Sequence, residues 1–333
     1  MKTKSMSTLI AAIALAAAAS TAALAETADA HSAAPEAHAD AQADPGRPLR
    51  IGVLPDADSL PLLVAEDEGL FAAEGVDAKL VSFTTAVERD SALQAGAIDG
   101  AVSDLLAVAL AEQGGFDLKA TSLTDGRYGI LVAPGSPIAS VPGLAGKSVG
   151  ISSNTIIQYA AETMLERGGL ARADIKCLAV PKIQLRMELL LAGKLDAACL
   201  PEPLLSAARA KGAVLLASSD DAGLGAGVIG FAVRAREDRL ADIASFYRAY
   251  WKAASRIDAA PDSYRPFLSG KAGFPAEAAG AFRFVAYKKP RLPSESDLSS
   301  VLAWMRRNGI LRKDLAPSAL VDGRALAEAA KAW

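Results

Sequence analysis

From Leu49 onward the chain alternates short apolar runs with amphipathic stretches. Leu49-Arg50-Ile51-Gly52-Val53-Leu54 is a β-rich run stopped by Pro55-Asp56-Ala57-Asp58, and Asp58 or Ser59 can cap a helix from Leu60 to Phe71 with Pro61 in its first turn. A second strand, Ala78 to Phe83, ends at Thr84-Thr85, which can cap a helix over Ala86 to Ala95. A third, Ile98 to Val102, runs into Ser103-Asp104 and a short helix from Leu105 to Ala111. Short apolar strands alternating with helices predict an α/β unit with a parallel sheet covered on both faces.

The same order recurs about a hundred residues later. Lys147 to Ile151 predicts a strand, Ser152-Ser153-Asn154-Thr155 a cap cluster, and Ile156 to Arg167 a helix closed by Gly168-Gly169. Ile175 to Val180 predicts a strand, Pro181-Lys182 a stop, Leu185 to Ala192 a helix, and Leu195 to Leu200 a strand. Leu93-Gln94-Ala95-Gly96-Ala97-Ile98-Asp99 is echoed by Leu190-Leu191-Ala192-Gly193-Lys194-Leu195-Asp196. That period is too long for a solenoid and implies two similar α/β lobes facing a cleft.

Two apolar segments join the lobes: Tyr128 to Ala133 leads out and Val228 to Val233 leads back, a paired crossover suited to hinge closure. Beyond Asp238 the pattern is helical, with an amphipathic run from Leu240 to Ile257 and a helix from Ser294 to Asn308, and this tail is expected to pack on the first lobe. With 333 residues and 51% hydrophobic content, the chain has material for one large or two medium cores.

The N-terminus changes the picture. Met1-Lys2-Thr3-Lys4, an apolar run from Leu9 to Ala19 and Ala23-Leu24-Ala25 make residues 1–25 a secretory signal peptide, and no Cys follows that would take a lipid anchor. Residues 26–48 are an Ala- and acid-rich leader with Pro35, Pro45 and Pro48, expected to be disordered; it holds the chain's only two histidines, His31 and His38, read as solvated linker residues and not as metal ligands. The chain's net charge of −3 becomes −5 without Lys2 and Lys4, and most of that excess sits in the leader. A near-neutral body excludes the basic footprint of a nucleic-acid binder. Cys177 and Cys199 lie in separate apolar runs and are expected to be free thiols.

The body therefore has no histidine, and it has no Gly-x-Ser-x-Gly elbow, phosphate loop or metal-ligand spacing. Binding is expected, without catalysis, cofactor or metal. In open parallel sheets ligands bind beyond the carboxyl ends of the strands, where helix N-termini offer unpaired N–H groups. Those loops supply the candidate ligand-binding residues Asp58, Ser59, Thr85, Ser103, Asp104, Tyr128, Asn154, Thr155, Lys182 and Glu202, with Asp56 and Arg127 close by. Each Ser or Thr could equally serve only as a helix cap, each acid as a cap or solvated loop residue, and Tyr128 as hinge packing.

Leu49-Arg50-Ile51-Gly52-Val53, Ala65-Glu66-Asp67-Glu68-Gly69-Leu70-Phe71, the two Leu-x-Ala-Gly repeats, Gly135-Ser136-Pro137-Ile138 and Leu144-Ala145-Gly146-Lys147-Ser148-Val149 together resemble the nitrate/sulfonate/taurine and thiamine-precursor (SsuA/THI5-like) periplasmic solute-binding proteins of ABC importers. The resemblance spans about residues 49 to 220. It implies a type II periplasmic-binding-protein fold, two doubly wound lobes joined by a two-segment hinge, with lobe 1 formed by 49–132 and 229–333 and lobe 2 by 133–228. It further implies a periplasmic monomer that closes on one small polar organic ligand and delivers it to an ABC permease in the inner membrane. Sulfonate, other organic anion and amine or pyrimidine-type ligands remain open, as do an enzyme on the same fold and a sensor for a membrane receptor. The related pyrimidine synthase on this fold depends on histidine, which this body lacks.

Overall fold

The computed structural model describes residues 46–333. The expected signal peptide, His31, His38 and nearly all of the leader lie outside the described residues.

The first half builds β1 (Leu49–Val53), α1 (Leu60–Asp67), α2 (Leu70–Ala73), β2 (Ala78–Ser82), α3 (Ala86–Gln94), β3 (Gly100–Asp104), α4 (Leu105–Gly114) and β4 (Leu118–Leu123). The single helix expected over Leu60 to Phe71 is broken at Gly69, whose backbone takes a left-handed turn with φ 68°. After β5 (Tyr128–Val132), the second half repeats the plan as β6 (Ser148–Ile151), α5 (Ile156–Arg167), β7 (Lys176–Ala179), α6 (Ile183–Leu191), β8 (Ala197–Pro201), α7 (Leu204–Ala210) and β9 (Val214–Ser218). A short α8 (Ser219–Ala222) leads to β10 (Gly227–Ala232), α9 (Val233–Asp238), α10 (Leu240–Ala259), α11 (Arg265–Gly270), α12 (Ala276–Ala281), α13 (Glu295–Arg307) and α14 (Arg324–Ala329).

Two five-stranded sheets result, in the orders β2-β1-β3-β10-β4 and β7-β6-β8-β5-β9. The three leading strands of each are parallel, while β10 runs antiparallel to β3 and β4, and β5 antiparallel to β8 and β9. A purely parallel sheet was expected; the crossover strands add one antiparallel member to each. Each sheet thus borrows the strand that enters it from the other. Because β5 pairs with β8 and β9, the second sheet begins at Tyr128, ahead of the boundary at residue 133 read from the sequence, and the crossovers proper are the short links at 124–127 and 219–226.

The repeated Leu-x-Ala-Gly segments have one structural job in both sheets. Gly96 and Gly193 take φ of 69° and 65° just past α3 and α6, the left-handed turn that closes a helix and that a side chain would strain. The strands expected from Ile98 and Leu195 begin later, at Gly100 and Ala197, so Asp99 and Asp196 stand just ahead of them. Their carboxylates accept the backbone N–H of Arg50 at 2.9 Å and of Ser148 at 2.8 Å, tying each repeat to β1 in the first sheet and β6 in the second.

The tail reaches both lobes. Helix α10 packs on α1, α2 and α14 beside the first sheet, whereas α12 packs on α7 of the second. Helix α13 lies on α4 and also touches α5: Trp304 Nε1 donates to Glu162 Oε2 at 3.0 Å, and its ring meets Tyr159 edge-on at 5.6 Å. One apolar core accordingly runs from Leu105 and Val108 through Ile151 and Leu165 to Val301 and Met305.

Candidate functional site

The carboxyl ends of the two sheets enclose a small cavity of about 50 Å³. Asp56, Asp58, Arg89, Ser103 and Asp104 line it from the first lobe, and Tyr128, Ser152, Thr155, Ile156, Ile183, Arg186 and Pro201 from the second.

Each polar group arrives through a local rule of folding. Asp104 is the last residue of β3 and the N-cap of α4, so its Oδ1 accepts the Ala107 N–H at 2.8 Å. Its Oδ2 accepts the N–H of Ile156 at 3.1 Å, the first residue of α5 in the other lobe. Thr155 caps α5 by accepting from Ile157 N and donates its hydroxyl to the Ser152 carbonyl at 2.9 Å. After β1 the chain turns so that Asp56 Oδ1 accepts the Ser59 N–H at 2.9 Å. Asp58 accepts from Thr124 Oγ1 at 2.6 Å and from the Tyr128 hydroxyl at 3.1 Å, both at the outgoing crossover. A Cβ on Gly126 would fall 2.1 Å from Asp58 Oδ2, and one on Gly227 2.8 Å from Oδ1, so both crossovers pass against this carboxylate on glycine backbone.

Electrostatically the cavity is loaded. Burial raises the Asp56 carboxyl to about 7, with the neighbouring Asp58 charge adding to the rise. Burial also raises Asp58 and Asp104, and it lifts the Tyr128 phenol well above its ordinary range. No ion pair among the described residues includes Asp56, Asp58 or Asp104. Two arginines oppose them. Arg89 pairs with Asp90 at 2.8 Å and donates to Ser103 Oγ at 2.9 Å. Arg186 is fully enclosed, donates Nη1 to the Val180 carbonyl at 3.0 Å, and leaves Nε and Nη2 buried without a hydrogen-bond partner. Burial pulls its guanidinium down to about 10.

Of the ten candidates, the cavity wall brings together Asp58, Ser103, Asp104, Tyr128 and Thr155. Ser59 is fully buried behind the wall, where its N–H holds Asp56. The remaining four lie elsewhere. Thr85 caps α3 by accepting the Glu88 N–H, and Asn154 is exposed with φ 58° and gives its N–H to Gln158. Lys182 is exposed at the start of α6. Glu202 is buried under the cavity floor, where Ser206 donates both its N–H and its hydroxyl to the carboxylate, and Arg127 Nη1 stands 3.8 Å away. Its backbone joins the lobes, since its N–H goes to the Arg127 carbonyl and its carbonyl accepts from Ala57.

The sequence reading missed Arg89 and Arg186. A signal existed: Arg186 sits three residues after Ile183 and four before Leu190, on the buried side of its helix, and Arg89 stands in the same relation to Ala86 and Leu93. The two are also equivalent in the duplication, because the offset of 97 residues that aligns Leu93 with Leu190 aligns Arg89 with Arg186. Each lies against a glycine of an equivalent strand, β1 or β6, 3.1 Å separating Arg89 Cγ from a Cβ built on Gly52 and 3.2 Å separating Arg186 Cγ from one on Gly150.

The model of the NMT1/THI5-like family matches residues 56–263, more than half of the chain and all of the cavity wall but Leu54. The chain belongs to that family. Solved structures agree on architecture. The alkanesulfonate-binding protein SsuA from Xanthomonas axonopodis pv. citri, bound to MOPS, superposes with a TM-score of 0.72 at 20% identity, covering 83% of this chain and 98% of that one. The periplasmic nitrate-binding protein NrtA from Synechocystis PCC 6803 gives 0.67 at 16% identity, covering 85% and 88%. The desulfurization enzyme DSZB gives 0.63 at 16% identity, covering 86% and 99%. Among curated proteins no sequence matches. These identities establish the fold, the type II periplasmic-binding-protein architecture of two α/β lobes. The family and most of these neighbours are binding proteins of transport systems, and one neighbour on the same fold is an enzyme.

Among the described residues no helix is long and apolar enough to cross a membrane, and no cluster of His, Cys, Asp and Glu has the geometry of a metal site. Cys177 and Cys199 are both free, each thiol raised to about 12 by burial.

Proposed function

We propose that this protein is the periplasmic solute-binding component of an ABC importer, closing its two lobes on a small polar organic ligand and delivering it unchanged to a membrane permease. The observation that carries this reading is the cavity at the junction of the lobes, roofed by the Asp104 to Ile156 hydrogen bond and flanked by two short crossovers. A ligand that touches both walls favours the closed arrangement over the open one by its differential affinity, which is what a permease needs to recognise a loaded protein. The family model and the transport binding proteins among the structural neighbours support the same assignment. The candidate contacts are Asp56, Asp58, Arg89, Ser103, Asp104, Tyr128, Thr155 and Arg186, and the protein works as a monomer.

A thermal-shift screen of the chain without residues 1–25 tests this against sulfonates, nitrate, amino acids, amines and pyrimidines. A ligand that binds only the folded state adds roughly 2.7 kcal/mol at a hundredfold excess over its dissociation constant. A stabilising compound recovered intact supports a binding protein. One converted on incubation points instead to an enzyme, the reading that the fold of DSZB keeps in view.

A further inference from the structure

The helical tail crosses between the lobes, and it holds them by contacts of two different kinds. Helix α12 rides on the second lobe: Ala278 is fully buried beside Leu204, Ala207 and Ala208 of α7, where small residues let the two helices approach closely. The extended segment 282–294 then returns alongside the outgoing crossover. There the Arg283 carbonyl accepts Arg127 Nη1 at 2.8 Å, and the Lys288 N–H goes to Asp125 at 2.8 Å. Helix α13 follows and settles on the first lobe, where Leu298, Val301, Leu302 and Met305 are buried in the core that covers α4.

What α13 offers the second lobe is a row of side chains. Trp304 Nε1 reaches Glu162 of α5 at 3.0 Å, Arg307 Nη2 lies 3.1 Å from both oxygens of Glu166, and Asn308 accepts from Arg172 just beyond α5. These bonds can open without abandoning a buried charge. Glu162, only 6% exposed, keeps Gln158 at 2.8 Å and Arg172 at 2.9 Å, both from its own lobe, when Trp304 leaves. Arg307 is exposed and Glu166 and Asn308 are partly so, which lets water replace the lost partners. The row also has leverage. Helix α13 starts against the returning crossover, where a Cβ on Gly225 would fall 2.7 Å from Asp297 Oδ1, and Trp304 and Arg307 stand about 10 and 15 Å further along the axis. Rotation of the lobes about the crossovers moves α5 more at Trp304 and Arg307 than at Asp297.

We propose that α13 is a latch between the lobes: fixed to the first, it holds the second in the closed arrangement through side-chain contacts that release as the cleft opens. The latch lies outside the cavity and acts before any solute arrives. By favouring closure in advance, it lowers the differential affinity that a solute has to supply.

Small-angle scattering of the ligand-free chain, together with hydrogen exchange at the Ile156 N–H that bonds Asp104 across the cleft, tests the latch without any solute. W304F keeps the ring and loses the indole bond, and should raise both the radius of gyration and the Ile156 exchange rate, the latter about tenfold. R307A/N308A, which touches only the more exposed contacts, should move both in the same direction, by about threefold in exchange. T85A weakens the first lobe through a lost cap remote from α13, and should leave the radius of gyration and the Ile156 rate at parent values. Parent values in both latch variants, or an equal change in T85A, overturn the inference. The solute-binding reading stands in either case, because none of these measurements involves a solute.

Discussion

The carboxylate of Asp104 serves two lobes at once, accepting the Ala107 N–H of its own helix at 2.8 Å and the Ile156 N–H of the opposite lobe at 3.1 Å. The first bond is a routine helix cap and the second crosses the cleft. D104A should therefore cost about 1 kcal/mol for the cap. It should also leave the Ile156 N–H unpaired in a buried place, for a total of about 2 to 4 kcal/mol in urea denaturation. The same variant should populate the open form, read as a larger radius of gyration in solution scattering, whereas D104N keeps one amide oxygen and should lose less.

The pH dependence of stability has a defined sign. Asp56 has a folded-state value of about 7, above that of an unfolded aspartate, so the folded state binds more protons than the unfolded chain between about pH 4 and 7. Stability then falls as pH rises through that window, by at most about 1.4 kcal/mol per pH unit from this group, and levels off above it. Asp58 and Asp104, also raised by burial, act in the same direction. Guanidinium denaturation across pH 4 to 8 should show this slope, and D56N should flatten it.

Thr85 and Lys182 occupy equivalent helix starts in the two lobes and lie off the cavity wall. T85A should lower stability by about 1 kcal/mol through its lost cap. K182A should change it by less than about 0.5 kcal/mol, as exposed substitutions do. Neither should move the dissociation constant of a ligand found in the screen. A large affinity loss in K182A would return the site to the loop from which the sequence reading drew it.

Glu162 is buried beneath α13, accepting from Trp304 at 3.0 Å, Arg172 at 2.9 Å and Gln158 at 2.8 Å. W304F keeps most of the apolar contact and removes one of these donors, so it should destabilise by about 1 to 3 kcal/mol. E162Q retains a neutral acceptor and should cost less than W304F combined with R172A. Thermal unfolding of the three variants checks the order.

The repeated lobes were legible because strand-helix alternation and the Leu-x-Ala-Gly segments are local signals, set by side-chain periodicity and a left-handed glycine. The caps at Asp104 and Thr155 were legible for the same reason. Lys182 and Asn154 misled because loop membership says nothing about which way a side chain leaves the backbone. Glu202 misled because an acid beyond a strand end can turn inward to a serine one helical turn away. Arg89 and Arg186 escaped notice because an arginine in a helix ordinarily lies along a solvated face, and only its register against Leu93 or Leu190 betrays burial. Strands β4 and β9, both sheet edges, carry polar or partly exposed residues and no clean alternation, so they stayed hidden until pairing with β10 and β5 placed them.

The cavity between the lobes is proposed to bind one small solute reversibly and to leave it unchanged. Calorimetric titration of the chain lacking residues 1–25 with the compound that ranks first in the thermal-shift screen, followed by mass spectrometry of the recovered compound, tests it most directly. One site per chain, loss of binding in the R186M variant, and recovery of the compound with its mass unaltered are the expected results. Binding that survives in R186M and D56N alike, or recovery of a chemically converted product, would contradict it.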